Sequence, residues 1–375
     1  MKLTPLRPLY DTCGDYVSVY LDTGRAHEDA RHAIELRWRA ARERLAAEGA
    51  DPATLDAVRD AVTDPGNTAP GTAVFARNGA IRLLAGLRDA PVREISRLGA
   101  LPHVLPMLAQ LPVLVPHLRI TATRAGGEVV AVTGTGEARD EKTAAQGWPV
   151  HKTPAGGWAQ DKFQRSAERT WDANARELAD TTAAAAREIG AQHIIVAGDV
   201  RARTLLLEHL DPPLRQAAAV IEEEVPPDSD AAAAAAGRII SARAEQAARE
   251  RFSRWREQLS RAEAVEGLAE TVAALGDGRV ADVFIAGDFT GELGGDFTGD
   301  GPGSATAWVG PGAADLAMTS ARLAERGVGQ PAADRVDAAI VRAAAGTDAE
   351  LFFLPGDVPA PREGIGATLR YPVDR

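Results

Sequence analysis

A chain of 375 residues has room for two or three domains with cores of their own, which excludes a single small module. With 45% hydrophobic and 25% charged residues it is neither disordered nor fibrous. Its 42 Lys and Arg against 53 Asp and Glu give a net charge of −11, which argues against indiscriminate DNA binding but leaves room for a local basic surface.

In chain order, residues 16–21 are an apolar, β-branched run between Gly14 and Asp22-Thr23-Gly24, which predicts a strand. Residues 30–48 place Ile34, Leu36, Trp38 and Leu45 among Arg and Glu without Gly or Pro, a helix, and a second short helix follows at 52–62. Residues 71–75 and 80–87 flank Asn78-Gly79, a hairpin turn that needs positive φ. The proline-punctuated stretch 102–116 closes this αβ segment. A second hairpin, 117–123 with 128–133, turns at Ala125-Gly126-Gly127 and leads into a polar loop, 134–160. From 161 to 189 Gly and Pro are absent, and Phe163, Ala167, Trp171 and Leu178 fall near one face, predicting a long amphipathic helix. Residues 193–198 read as a buried parallel strand, followed by a helix at 201–209 and a strand at 219–222, a βαβαβ rhythm. Six alanines, 231–236, open a helix that runs to Leu259, alanine being the best helix former. The final third predicts a helix to Leu275, a strand at 281–286, a helix at 332–345 and strands at 350–354 and 367–371. The fold class expected is α/β (α+β), in three αβ domains spanning 1–117, 118–261 and 262–375.

The lone cysteine, Cys13, cannot form an internal disulfide, and no paired-thiolate zinc pattern exists, so a reducing compartment is expected. The first residues carry Lys2, Arg7 and Asp11 without an apolar core of a signal peptide, and the apolar run 101–118 is broken by Pro102, Pro106, Pro112 and Pro116. A cytoplasmic protein without a membrane partner is the expectation. Phosphate-loop, zinc-protease and serine-elbow motifs are absent. His27 and His32 have poor metal spacing, and the acidic stretch 288–300 does not match a calcium loop, so no metal and no cofactor are expected.

The segment His151-Lys152-Thr153-Pro154-Ala155-Gly156-Gly157-Trp158-Ala159-Gln160 differs in kind. Adjacent glycines allow close backbone approach to a ligand, and an amide follows at the mouth of a helix. Lys162, Arg165 and Arg169 lie at i, i+3 and i+7, one helix face, and residues 142–176 hold six Lys and Arg against three Asp and Glu. That local excess fits a phosphate-facing segment; composition alone fits equally well a loop followed by an ordinary charged helix. A second basic strip, 231–262, has seven arginines, among them Arg238, Arg243 and Arg249, against three glutamates.

Gly156-Gly157-Trp158-Ala159-Gln160 before Asp161-Lys162-Phe163-Gln164-Arg165, then a helix, a His-Ile-Ile-Val-Ala-Gly strand and another helix, resembles the middle domain of archaeo-eukaryotic class-one translation release factors. The likeness is nearest to the bacterial branch of that family, the Balon-like ribosome hibernation factors of actinobacteria. The final third resembles the family's C-terminal domain of kink-turn-binding ribosomal-protein type. The resemblance implies that residues 156–160 form a loop for the peptidyl-transferase centre, in which Gln160 would position water. Here Trp158 and Ala159 stand between the second Gly and the Gln, a shift of up to about 3 Å per residue in an extended loop. Trp158 would stack on a nucleobase or anchor the loop on protein. The Asn-Ile-Lys-Ser stop-codon motif is absent. The resemblance thus implies a hibernation factor in the ribosomal A site, contacting ribosomal RNA through His151, Lys152, Lys162, Arg165, Arg169, Arg238, Arg243 and Arg249, with elongation factor Tu and P-site tRNA as further partners. The alternative is a rescue factor that hydrolyses peptidyl-tRNA with Gln160.

Overall fold

The computed structural model describes residues 1–11, 14–27, 29–110, 116–133, 138–143, 157–222, 230–288, 293–294 and 305–371, excluding the side chains of 138–143, 157–166, 230, 233, 287–288 and 293–294. The chain is α/β, and it divides into two compact units: Met1–Leu111 with Glu245–Arg375, and Pro112–Ala244.

In the first unit, strand Tyr16–Asp22 pairs antiparallel with Gly71–Arg77 on one side and Ile95–Gly99 on the other, and Ala80–Leu87 completes a four-stranded sheet. Alternate side chains leave a strand on opposite faces. Val17, Val19 and Leu21 meet Trp38, Leu45, Leu55 and Val58 of helices Ala30–Ala47 and Pro52–Thr63. Tyr20, Ala73 and Phe75 face the opposite way, into a core shared with Val283, Ile340 and Leu351. Burial on both faces is why the sequence of this strand is a continuous apolar run. The hairpin turn is formed as expected, with Asn78 and Gly79 at φ of 51° and 71°.

The rest of this unit is organised on strand Val280–Asp288, which pairs parallel with Glu350–Leu354 and antiparallel with Ile365–Leu369. Helix Val336–Thr347 leads into the second of the parallel strands; Ala338, Ala339, Ile340, Val341, Ala343 and Ala344 are all buried, and so are its Asp337 and Arg342. The expected helix start at 332 is corrected: Ala332–Arg335 is a strand against Thr306–Val309, and this pairing overrides the helical preference of its alanines.

The second unit holds a five-stranded sheet in the order Ala138–Thr143, Gly126–Val132, His117–Thr123, His193–Gly198, Ala218–Val220. The strand 193–198 runs parallel to 117–122 and to 218–220, as the βαβαβ rhythm requires. Two details differ from expectation. Thr123 pairs with Gly126, so the turn is Arg124-Ala125 and both glycines lie in the strand. Gly127 belongs there because a Cβ would stand 2.6 Å from Leu178 Cδ2. Second, the supposed loop contains strand Ala138–Thr143.

Helix Gly157–Ile189, about 50 Å long at 1.5 Å per residue, lies on this sheet through Leu178, Ala179, Ala185 and Ala186. Helix Asp230–Leu259 contributes to both units. Ala235, Ala236 and Ile240 pack on Ile195 and Ala197, while Phe252 and Trp255 stack 4.8 Å apart beside Phe284.

Candidate functional site

The segment singled out in the sequence reaches the described structure at Gly157, the first residue of the long helix. Gly156, His151 and Lys152 lie outside the described residues, as do the side chains of Trp158, Gln160, Lys162 and Arg165. Gly157, Trp158, Ala159 and Gln160 thus have helical backbone, four residues before the start expected at Asp161. The consequence for the two inserted residues is geometric. A helix advances 1.5 Å and turns about 100° per residue, so Trp158 and Ala159 move position 160 along the axis by about 3 Å rather than about 6–7 Å. Positions 158, 162, 165 and 169 share one helical row, and position 160 lies about 200° around the axis from 158. Arg169 is exposed on this row.

Below this end of the helix, the carboxyl ends of strands 117–123 and 193–198 carry a polar cluster. Trp171 is enclosed by two guanidiniums, Arg124 and Arg201, each 5.2 Å from its ring. Arg124 pairs with Asp199 at 3.0 Å and Arg201 with Glu168 at 3.0 Å, and Asn174 Nδ2 donates to the Arg124 carbonyl at 3.1 Å. Asp199 caps helix Val200–His209 by accepting from the amides of Arg201 and Ala202. Burial alone would raise the Asp199 pKa, but these amides and Arg124 outweigh it and hold the carboxyl below its ordinary value. Gly198 makes the turn at φ +107°, where a Cβ would stand 2.1 Å from the Ala122 carbonyl oxygen. The cluster has two cations and two anions and is nearly closed. Its work is to fix the helix on the sheet.

The second basic strip separates into different tasks. Arg238 is exposed. Arg243 donates to the carbonyls of Ala217 at 2.5 Å and Ala218 at 2.9 Å and approaches His193 Nδ1 at 3.2 Å, so it closes the end of the sheet. Burial, and then the Arg243 charge, push the His193 pKa down. Arg249 makes a two-pronged pair with Asp357, at 2.7 and 2.8 Å. Arg251 pairs with Asp282 at 3.0 Å. On helix Ala30–Ala47, Arg31 pairs with Glu35, Arg37 with Asp22 and Glu94, and Arg42 with Asp56.

Among the described residues no group of three or more His, Cys, Asp or Glu could hold a metal ion, and no helix is long and apolar enough to cross a membrane. Most of the acidic stretch 288–300 lies outside the described residues.

The second unit thus sets a sheet with parallel central strands against a long helix that begins at Gly157. Residues 116–267 match the model of bacterial archaeo-eukaryotic release factor family 2. The whole chain is similar to an uncharacterized protein of Mycobacterium tuberculosis, 28% identical over 383 residues, covering 99% of this chain and 97% of the relative. Among solved structures it is similar to the archaeal termination factor aRF1, with 14% identity, a TM-score of 0.26 and coverage of 98% and 96%. A ribosome-bound archaeal Pelota, determined with ABCE1, has 13% identity, a TM-score of 0.39 and coverage of 99% and 94%.

Proposed function

We propose that this protein is a cytoplasmic ribosome-binding factor that occupies the A site and blocks the decoding and peptidyl-transferase centres without reading stop codons, as a hibernation factor does. The observation that carries the reading is the first turn of the long helix. The release-factor resemblance sets its Gly-Gly and Gln at Gly156, Gly157 and Gln160, but Trp158 and Ala159 stand between them, in helical backbone. Positioned catalysis depends on an amide held to within a fraction of an ångström. An axial shift of about 3 Å and a rotation of about 200° remove Gln160 from the place a two-glycine loop would give it. The same turn aligns position 158 with Lys162, Arg165 and Arg169, an aromatic at the head of a cationic row, which suits stacking and phosphate contact with ribosomal RNA. The absence of Asn-Ile-Lys-Ser supports a role other than termination. In this reading 1–117 serves the decoding side, 118–261 the peptidyl-transferase side and 262–375 the factor-binding side, with elongation factor Tu and P-site tRNA as neighbours.

The second reading, peptidyl-tRNA hydrolysis by Gln160 on stalled ribosomes, is favoured by the retention of Gly-Gly and Gln before a basic helix. Ribosomes carrying labelled peptidyl-tRNA in the P site separate the two. The hibernation reading expects protection of the A site and no peptide release. Release that disappears in Gln160→Ala overturns it in favour of rescue.

A further inference from the structure

The outer edge of the N-terminal sheet holds a hollow of about 330 Å³ lined by Arg44, Arg93, Arg97 and Arg335, with Glu94 and Ser96. Four guanidiniums face one carboxylate, and that carboxylate is already engaged, Glu94 Oε1 lying 3.0 Å from Arg37 Nε. Arg44 and Arg93 are exposed and form no ion pair among the described residues. The inner pair is held rigidly from behind. Arg97 binds the fully buried Asp334, whose other oxygen accepts from the Leu101 amide at 2.7 Å. Arg335 grips the fully buried Asp337 through Nε at 3.1 Å and Nη2 at 2.8 Å. Two lining residues also keep buried polar atoms without a hydrogen-bond partner among the described residues, Ser96 Oγ and Arg97 Nη1.

A buried donor left unmade costs about 1–3 kcal/mol, and both residues that keep such an atom, Ser96 and Arg97, line this hollow. The larger groove on the same helix shows what the alternative looks like. Arg31, Arg39, Arg42 and Arg59 line it together with Glu35, Asp60 and Asp64, and its charges nearly cancel. We propose that the Arg44–Arg93–Arg97–Arg335 hollow is a phosphate-recognition site, and that its ligand is the phosphodiester of an RNA strand. Arginine forks match phosphate oxygens two at a time, and the hollow is at the lower end of ligand-pocket volumes of about 300–1,000 Å³. Its opening at a sheet edge suits a chain that runs past rather than a small molecule enclosed. The choice of RNA rests on the ribosomal reading above; the site itself does not.

The test uses the full chain and the double variant Arg44→Gln/Arg93→Gln, whose side chains carry no part of the core, with Arg31→Gln/Arg59→Gln as the control in the neutral groove. Anisotropy of a fluorescein-labelled single-stranded RNA is measured across a salt series, and binding of inorganic phosphate is measured by calorimetry. The double variant should bind RNA at least about tenfold more weakly, and its log–log salt slope should fall by about 0.7 for each phosphate it no longer neutralises. The control should stay at the wild-type value, and both variants should melt as the wild type does. Phosphate binding lost in the double variant with RNA binding unchanged keeps the site and assigns it to free phosphate. RNA and phosphate binding both unchanged overturn it. Hollow-dependent RNA binding in a protein that fails to co-sediment with ribosomes sustains the site and removes the ribosomal reading instead.

Discussion

Replacing Asp337 by Asn should be among the most damaging single changes in the first unit. The carboxylate is fully buried at the start of helix Val336–Thr347 and accepts four hydrogen bonds: Arg335 Nε at 3.1 Å, Arg335 Nη2 at 2.8 Å, His103 Nε2 at 3.0 Å and the Ala338 amide at 2.7 Å. An Asn keeps the shape but removes the buried charge to which Arg335 Nε and Nη2 donate. Removing one member of a buried pair costs about 3–5 kcal/mol, which at a urea m-value of about 2–3 kcal/mol/M moves the midpoint by about 1–2 M. The effect also has a pH signature. Burial by itself would raise the Asp337 pKa, but the His103 and Arg335 charges outweigh it and hold the carboxyl far below its ordinary value. A carboxylate with a depressed folded pKa contributes its full stability above the unfolded value of about 3.9 and loses it as pH falls below that. The gap between wild type and Asp337→Asn should therefore be complete at pH 6 and narrower by about 1 kcal/mol at pH 3. Urea unfolding followed by circular dichroism at the two pH values measures both. A gap under about 1 kcal/mol at pH 6, or one that does not narrow at pH 3, refutes the reasoning.

Leu178→Ala, which empties a buried position between the long helix and Gly127, should destabilise the second unit by about 3–5 kcal/mol, read from hydrogen exchange of strands 117–123 and 193–198. Gly198→Ala should destabilise the same unit by more than about 1 kcal/mol, because its φ of +107° and the Ala122 carbonyl both oppose a Cβ; a wild-type melt would contradict this. Arg243→Met should lower thermal stability and leave the salt slope of ribosome binding intact, since its donors serve the carbonyls of Ala217 and Ala218. Reversing charge at Lys162, Arg165 and Arg169 should do the opposite, weakening ribosome co-sedimentation with little change in melting; unchanged binding across salt removes the phosphate-contact role of that row.

What the sequence disclosed depended on whether the structure used local or distant partners. Strand Tyr16–Asp22, the Asn78-Gly79 turn and the parallel strand His193–Gly198 are legible because their patterns are local. Ala138–Thr143 was not, since Ala-Arg-Asp-Glu-Lys-Thr has no apolar alternation and becomes a strand only by pairing with Gly126–Val132. The buried assembly of Arg97, His103, Asp334, Arg335 and Asp337 was also invisible. Its two halves stand more than 230 positions apart, and each member looks like a surface charge in its own neighbourhood. For the candidate site, residue types and spacing single out the Gly-Gly-Trp-Ala-Gln segment and its cationic row as candidates. They did not show that the helix begins at Gly157, nor that Arg243 closes a sheet.

The two-sided burial of the N-terminal sheet bears on how the chain folds while it is made. One face is covered early, by helices within the next few dozen residues, but the other waits for Ile340, Leu351 and their neighbours. His103 must wait for 234 further residues before Asp337 exists to meet it, on the order of 10–50 s at ordinary elongation speeds. Through that interval Tyr20, Ala73 and Phe75 have only the cover that Leu101, Val104 and Met107 and their neighbours supply, and the open remainder is a natural client for a holding chaperone. The N-terminal third, expressed without the last, should be sticky and poorly folded, and a truncated message should yield a product destined for proteolysis.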